Sequence, residues 1–362
     1  FEGNNIYVID CDVELTGIDG VLCFTEEGLR AKDIKARVLG FDVLIDIETK
    51  NQDESVTYFT AHGKSDAEGI KKILSIPLME HIDGESAWIA VLQLTGRKKE
   101  GRSNASLFID SYLEGMAVNL PEPIGKDMSS SRRLFVEMDF PRAEDWPIQL
   151  RYGDNFSAIF DVDAKMKVER GELRFGGGEA QLPDEGGLRL AGQAQKFSLT
   201  QWLSIMNPPE ETEVEPSGVG INNIDMQFSA AEARNRNFTN VTVKAVREGN
   251  LWKADVKSDE MTGKLQIPLD DITPLVMDLE HLSLVEMSQE GKEGANEENP
   301  LDLSAALITS KQFSYGRTDF GSLDLKASKR DAGIRLDHLR LESPVMKIEA
   351  QGDWLKVGDE HY

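Results

Sequence analysis

Phe313–Leu355 reads FSYGRTDFGSLDLKASKRDAGIRLDHLRLESPVMKIEAQGDWL, and its periodicity decides the fold class. Leu323, Leu325 and Ala327 alternate with Asp324, Lys326 and Ser328, the period-2 pattern of a half-buried strand. Asp331-Ala332-Gly333 supplies a turn, since glycine tolerates the positive φ of tight hairpins. Ile334 and Leu336 resume the alternation, which slips parity at Asp337-His338 and continues through Leu339 and Leu341. Pro344, lacking a ladder N–H, ends that strand, and Met346, Ile348 and Ala350 make the next. The stretch is a β-meander with one apolar face, one charged face and no helix to cover the apolar side.

The same pattern recurs upstream. From Ile6 to Leu15, Tyr7, Ile9, Cys11, Val13 and Leu15 share a face opposite Asp10, Asp12 and Glu14, predicting one amphipathic strand. Val43, Ile45 and Ile47 follow a parity change at Gly40, which marks a bulge or a turn. Further strands are predicted at 87–95 and 107–120, on either side of a basic turn at 96–104. Others run through Leu134 and Val136, through Trp146, Ile148 and Leu150, through Phe156 and Phe160, through Leu188 and Leu190, and through Met226 and Phe228. Helices are few: one near 66–75, with a capping hydroxyl at Ser65 and carboxylates in its first turn, and one near 200–206.

Asn207–Gly218 (NPPEETEVEPSG) has no apolar periodicity and reads as a linker or solvated loop. It divides the chain into a first section, 1–206, and a second, 219–362, the latter carrying an acidic loop at 288–300. Phe238–Ala245 (FTNVTVKA) is echoed by Phe320–Ala327 (FGSLDLKA). Such repetition predicts an elongated array of antiparallel meanders over one closed globule.

The net charge of −24 over 362 residues argues against nucleic acid, whose phosphates need a cationic footprint, and against an anionic membrane surface. No stretch is long and apolar enough to cross a bilayer, and a start at Phe1 reads as a section of something longer. Cys11 and Cys23 flank Gly17-Ile18-Asp19-Gly20. A hairpin there would set them opposite one another, leaving a cross-strand disulfide and two separate buried thiols both open.

Catalytic and metal constellations were sought without result. The five histidines form no ligand pair. Asp161 and Asp163, at i and i+2, share the solvent face of a strand and lack the glycine and distant glutamate of a calcium loop. Gly176-Gly177-Gly178 carries no phosphate-loop lysine and reads as a turn. These readings predict no metal, no cofactor and no enzymatic activity; a glycan-acting enzyme is the weakest of the functions considered.

Three phrases, LPEPIGK (120–126), WPIQLRYG (146–153) and VERGELRFGG (168–177), with GLRLAG (187–192) ahead of Gln201-Trp202, resemble the middle of YhdP-type proteins of the AsmA-like family. The 320–354 meander resembles the repeat toward that family's C-terminal half. The resemblance implies a periplasmic section of a large Gram-negative envelope protein, anchored in the inner membrane by a segment absent here. It further implies a repeating β-groove bridge that carries phospholipid between inner and outer membranes and meets membrane components through the missing termini.

The expected fold is thus mainly β: an elongated, curved antiparallel sheet of meanders forming an open apolar groove, with a few short helices. Its floor would take phospholipid acyl chains. The groove residues are Ile9, Val13, Val43, Ile45, Leu134, Val136, Ile148, Leu150, Phe156, Phe160, Leu188, Leu190, Met226, Phe228, Leu323, Leu325, Ile334, Leu336, Met346 and Ile348. The alternative is a structural envelope protein whose sheets pack face to face with no cargo.

Overall fold

A computed structural model describes residues 2–8, 13–51, 55–73, 77–95, 105–140, 146–163, 167–206, 220–233, 236–270, 272–284, 303–357 and 360–361. The chain is mainly β and forms two compact units, one of residues 1–192 with 201–220 and the other of 193–200 with 221–362. The linker expected at 207–218, the basic turn at 96–104 and the acidic loop at 288–300 lie outside the described residues.

The first unit opens with β1 (Asn4–Val8), β2 (Val13–Asp19), β3 (Leu22–Thr25), β4 (Gly28–Val38), β5 (Phe41–Asn51) and β6 (Ser55–Asp66). α1 (Ala67–Ile73) and a 3₁₀ turn at Pro77–His81 lead to β7 (Ile82–Thr95), β8 (Ala105–Ser111) and β9 (Met116–Val118). β10 (Leu134–Asp139), β11 (Trp146–Tyr152), β12 (Phe156–Val162), β13 (Val168–Phe175), β14 (Gly187–Ser198) and α2 (Leu199–Met206) follow, with residues 193–200 of the last two belonging to the other unit. Strands β4 to β8 and β10 to β13 pair antiparallel in chain order, β8 meeting β10 directly. β14 joins β13 in parallel. Parallel neighbours need a crossover, and residues 176–186 supply it. Gly176, Gly177 and Gly178 start it with φ of 79°, 92° and 85°, values that glycine alone adopts without strain.

The second unit is a meander of β15 (Ile221–Ala233), β16 (Arg236–Glu248), β17 (Leu251–Lys257), β18 (Met261–Pro268), β19 (Leu275–Leu284), β20 (Ala306–Tyr315), β21 (Thr318–Arg330), β22 (Gly333–Ser343), β23 (Met346–Val357) and the short β24 (Glu360–His361). All its neighbours are antiparallel except β19 and β20, which are parallel. Among the described residues, the sheet of each unit is therefore mixed, with one parallel seam.

Four local expectations are corrected. Ile6–Leu15 is not one strand: Tyr7 pairs with Glu14 and Val8 with Val13, so β1 and β2 form a hairpin. Period 2 is blind to a reversal that carries no glycine or proline. The hairpin expected at Gly17–Gly20 is also absent, because β2 and β3 follow one another along the same edge of β4. Cys23 is exposed there, and Cys11 lies outside the described residues. The strand expected at 107–120 ends at Ser111, where the backbone turns through Leu113 (φ 48°) and Gly115 (φ 83°). Helix α1 is capped by the Asp66 carboxylate, which accepts the Gly69 N–H at 2.6 Å, while the Ser65 hydroxyl accepts the Trp88 indole N–H.

In the deciding stretch, the parity slip at Asp337 is a β-bulge: Lys326 opposes His338 and Ala327 opposes Leu336. The reason for Gly333 differs from the expectation. It follows the turn at the start of β22, and a Cβ there would sit 2.2 Å from the Trp354 carbonyl oxygen. Close backbone approach, more than the turn itself, excludes a side chain.

Candidate functional site

Cross-strand partners share a face of a sheet, so the registers trace what each face presents. In the first unit one line runs Ile34, Ile45, Ala61, Ala90, Ile109, Val136, Leu150, Ala158, Leu173 and Leu190, one residue each from β4 through β14 with β9 omitted. All ten are apolar. A second line two residues away runs Ala31, Ile47, Phe59, Leu92, Leu107, Met138, Ile148, Phe160, Gly171 and Leu188. On the other side of the first, Leu134, Tyr152, Phe156 and Phe175 continue the band, the last two rings meeting edge to face at 5.0 Å. Three such positions along a strand make the band roughly 14 Å wide.

The second unit repeats the arrangement. Ile224, Ala245, Ala254, Leu265, Met277, Ile308, Leu325, Leu339 and Ala350 form an apolar line from β15 through β23. Met226, Val243, Val256, Gly263, Leu279, Ser310, Leu323, Leu341 and Ile348 run beside it, with Ser310 the single polar member. The echoed octapeptides fall on β16 and β21, and Val241, Val243 and Ala245 face the same way as Leu323, Leu325 and Ala327.

The opposite face is polar in the second unit and mixed in the first, where it carries Leu44, Ile89, Val91, Phe108, Phe135 and Ile159 among polar residues. In the second unit it carries Asp225, Lys244, Asp255, Lys264, Asp278, Thr309, Asp324, Arg340 and Glu349 in one cross-strand line. Charges there alternate in sign from β15 to β19 and again from β21 to β23, on either side of the neutral Thr309, so most neighbouring strands attract rather than repel. In the first unit the crossover folds over this face at β12–β14 and buries Glu172 completely. Arg174 lies 2.7 Å from its Oε1 and Arg189 3.6 Å from its Oε2. Asp161, expected on the solvent face, is buried against Arg170 at 2.9 Å.

The apolar faces differ along their length in exposure. Ile18, Ala31, Ile34, Ala36, Val43, Ile45 and Ile47 form a closed cluster over β2–β5. Leu279, Leu282, Leu323 and Leu341 form another at β19–β22. Elsewhere most of the face is half-exposed, with Tyr152, Ala158, Met226, Val241, Ala245 and Ala254 buried among it. Of the residues singled out from sequence, Val43, Ile45, Met226 and Leu323 are buried by the protein itself. Leu134, Val136, Ile148, Leu150, Phe156, Phe160, Leu188, Leu190, Phe228, Leu325, Ile334, Leu336 and Met346 are half-buried, and Ile348 is exposed. All of these lie on the apolar face of their own unit. Ile9 is outside the described residues, as is the Val13 side chain. Leu92, Leu107, Ile109, Leu173, Leu265, Met277 and Ile308 belong to the same lines but gave no signal of it in the sequence, where alternation shows single strands and not their register.

One edge of the first band is finished by a folded loop. Lys126 is buried and its ammonium donates to the carbonyls of Met116 (2.5 Å) and Asp127 (3.0 Å). Burial pushes its pKa down, as does the neighbouring Arg132, against an opposing pull from Asp127. Arg132 donates to the carbonyls of Pro123 (3.2 Å) and Ile124 (3.0 Å) and stacks on the Tyr152 ring at 4.7 Å. The Tyr152 hydroxyl donates to Ile124 O at 3.1 Å.

Among the described residues no group of three or more histidine, cysteine or carboxylate side chains is placed to hold a metal ion, and no helix is long and apolar enough to cross a membrane. A family model described as YhdP protein matches residues 1–362. No curated protein and no solved structure matches the chain.

Proposed function

Because the chain belongs to the YhdP protein family, we propose that its two apolar faces are segments of a track along which phospholipid acyl chains move between the inner and outer membranes of a Gram-negative envelope. In this reading the chain is a non-enzymatic periplasmic section of a bridge, held to the inner membrane by another part of the protein. The observation that carries it is the unbroken apolar line over β4–β14, half-exposed from β6 to β13 except at the buried Ala158. Acyl methylenes laid on it would each gain roughly 0.8 kcal/mol by leaving water. Near-uniform side chains from strand to strand keep neighbouring positions close in free energy, so a lipid slides where a single deep pocket would hold it.

A structural role with closed sheet packing is favoured only at the two buried clusters over β2–β5 and β19–β22. Native mass spectrometry of the purified chain, with photo-crosslinkers at Leu150 and Leu325 in cells, tests the reading. Co-purified phospholipid and crosslinks to it at both positions are expected. A chain that carries no lipid and captures none would leave the structural role standing.

A further inference from the structure

Arg132 is the next residue on the apolar face beyond Leu134, two positions back along the chain, and it stands at the band's edge against Tyr152. Its guanidinium is held by the Pro123 and Ile124 carbonyls and by the Tyr152 ring, and its backbone N–H anchors the main chain by donating to Tyr112 O at 3.0 Å. A Cβ at Gly153 would lie 3.2 Å from the Arg132 Cγ, so this glycine leaves room for the stem.

In a chain of net charge −24, most of its arginines of known partner meet carboxylates. Arg133 holds Asp110, Arg151 holds Glu179, and Arg170 holds Asp161. Arg132 meets carbonyls and a phenol only, and no carboxylate among the described residues. Among the described residues its charge has no carboxylate partner; it is half-exposed and next to Lys126, a second cation whose ammonium also donates to carbonyls. Among the described residues, Asp127 is the one acidic group acting on Lys126.

We propose that Arg132, backed by Lys126, is a phosphate-recognising site at the rim of the first band, which holds the phosphate of a phospholipid whose acyl chains lie over the half-exposed Leu134 and Phe156. The inference rests on the lipid-track reading and adds a head-group position to it. A guanidinium held by stacking and carbonyl bonds is preorganised to give charge-assisted bonds to phosphate oxygens. It marks a resting point along an otherwise uniform surface.

The test compares binding of a phosphatidic acid and a diacylglycerol with identical acyl chains to the 362-residue chain, by native mass spectrometry. Wild type is expected to favour the phosphatidic acid about tenfold, equivalent to one charge-assisted interaction. Arg132→Gln should bring the two ligands to within about twofold while diacylglycerol binding is kept. Wild type binding both ligands equally overturns the site and leaves the track intact, whereas binding of neither removes the track and the site together. Equal weakening of both ligands in Arg132→Gln makes the arginine a scaffold for the loop and overturns the proposal. Should that variant not fold, a phosphatidic acid with a photoreactive group at its phosphate end must label residues 121–126 of wild type; labelling only elsewhere overturns it. Displacement of that label by inorganic phosphate as readily as by lipid makes it a free-phosphate site and overturns it too.

Discussion

The Trp88 indole lies directly over Gly63, its partner across β6 and β7: a methyl group added at Gly63 would sit 2.3 Å from the ring. The ring is held from its far end by the Ser65 hydroxyl, which accepts the indole N–H at 2.7 Å. It packs against the buried cluster of β2–β5, at the place where the closed part of the apolar face gives way to the half-exposed part. Gly63→Ala must therefore move either the ring or the strand. We expect a loss of about 1–3 kcal/mol, the usual cost of overpacking, read as a lower urea midpoint with a shift in tryptophan emission. An unchanged emission spectrum together with unchanged stability would show that the ring does not rest on the glycine.

Glu172 is wholly buried beneath the crossover that precedes β14, with Gln181 N–H on its Oε1 at 3.2 Å besides its two arginines. Glu172→Ala leaves Arg174 and Arg189 without their shared counter-charge. Breaking a buried pair by removing one partner costs about 3–5 kcal/mol, and the partial exposure of both guanidiniums places this case at the low end, about 3 kcal/mol. Chemical denaturation of the variant measures it. Because the crossover is held by that carboxylate, limited proteolysis should cut 176–186 sooner in the variant than in wild type.

Much of this architecture is legible in the sequence, because amphipathic strands announce themselves by alternation. The Phe313–Leu355 meander and its bulge at Asp337 could be read residue by residue. The β1–β2 reversal could not, since alternation through Ile6–Leu15 continues across the turn. Nor could the parallel seams, where β13 meets β14 and β19 meets β20 only after a crossover. The strand at 87–95 hid its inner face because Ile89 and Val91 are apolar on the outer one. The continuous lines are a property of register, and so Leu173 and Met277 gave no signal of belonging with Leu150 and Leu325. Arg132 was invisible for a related reason: an arginine without a carboxylate is a spatial fact, not a sequence motif.

Acid should weaken the pair at the outer face of β8 and β10. Arg133 donates two N–H bonds to Asp110, at 2.9 and 2.6 Å, and these hold the Asp110 carboxyl below its ordinary range despite partial desolvation. A carboxylate whose folded pKa is depressed contributes stability above its unfolded pKa, about 3.9, and loses it as pH falls through the lower folded value. Asp110→Asn should therefore lower Tm near neutrality and flatten the fall of Tm below about pH 4. Parallel Tm profiles for the two proteins across that range would show that the pair contributes nothing.

The two faces of one sheet give the sharpest test of the lipid reading. Leu150 and Leu325 are half-buried members of the apolar lines, whereas Asp324, the immediate neighbour of Leu325, points to the charged face between Thr309 and Arg340. Leu150→Asp and Leu325→Asp each put a carboxylate where acyl chains are proposed to lie, and should reduce co-purifying phospholipid about tenfold or more, since an unpaired charge facing hydrocarbon costs at least 1–3 kcal/mol. Asp324→Asn changes the charge of the other face and should leave lipid content as in wild type. Circular dichroism and Tm separate this from misfolding, because all three side chains stand on strands whose ladders do not involve them. Only a variant that keeps its fold and loses its lipid supports the track. If the three variants retain equal lipid, the acyl chains do not lie on this face.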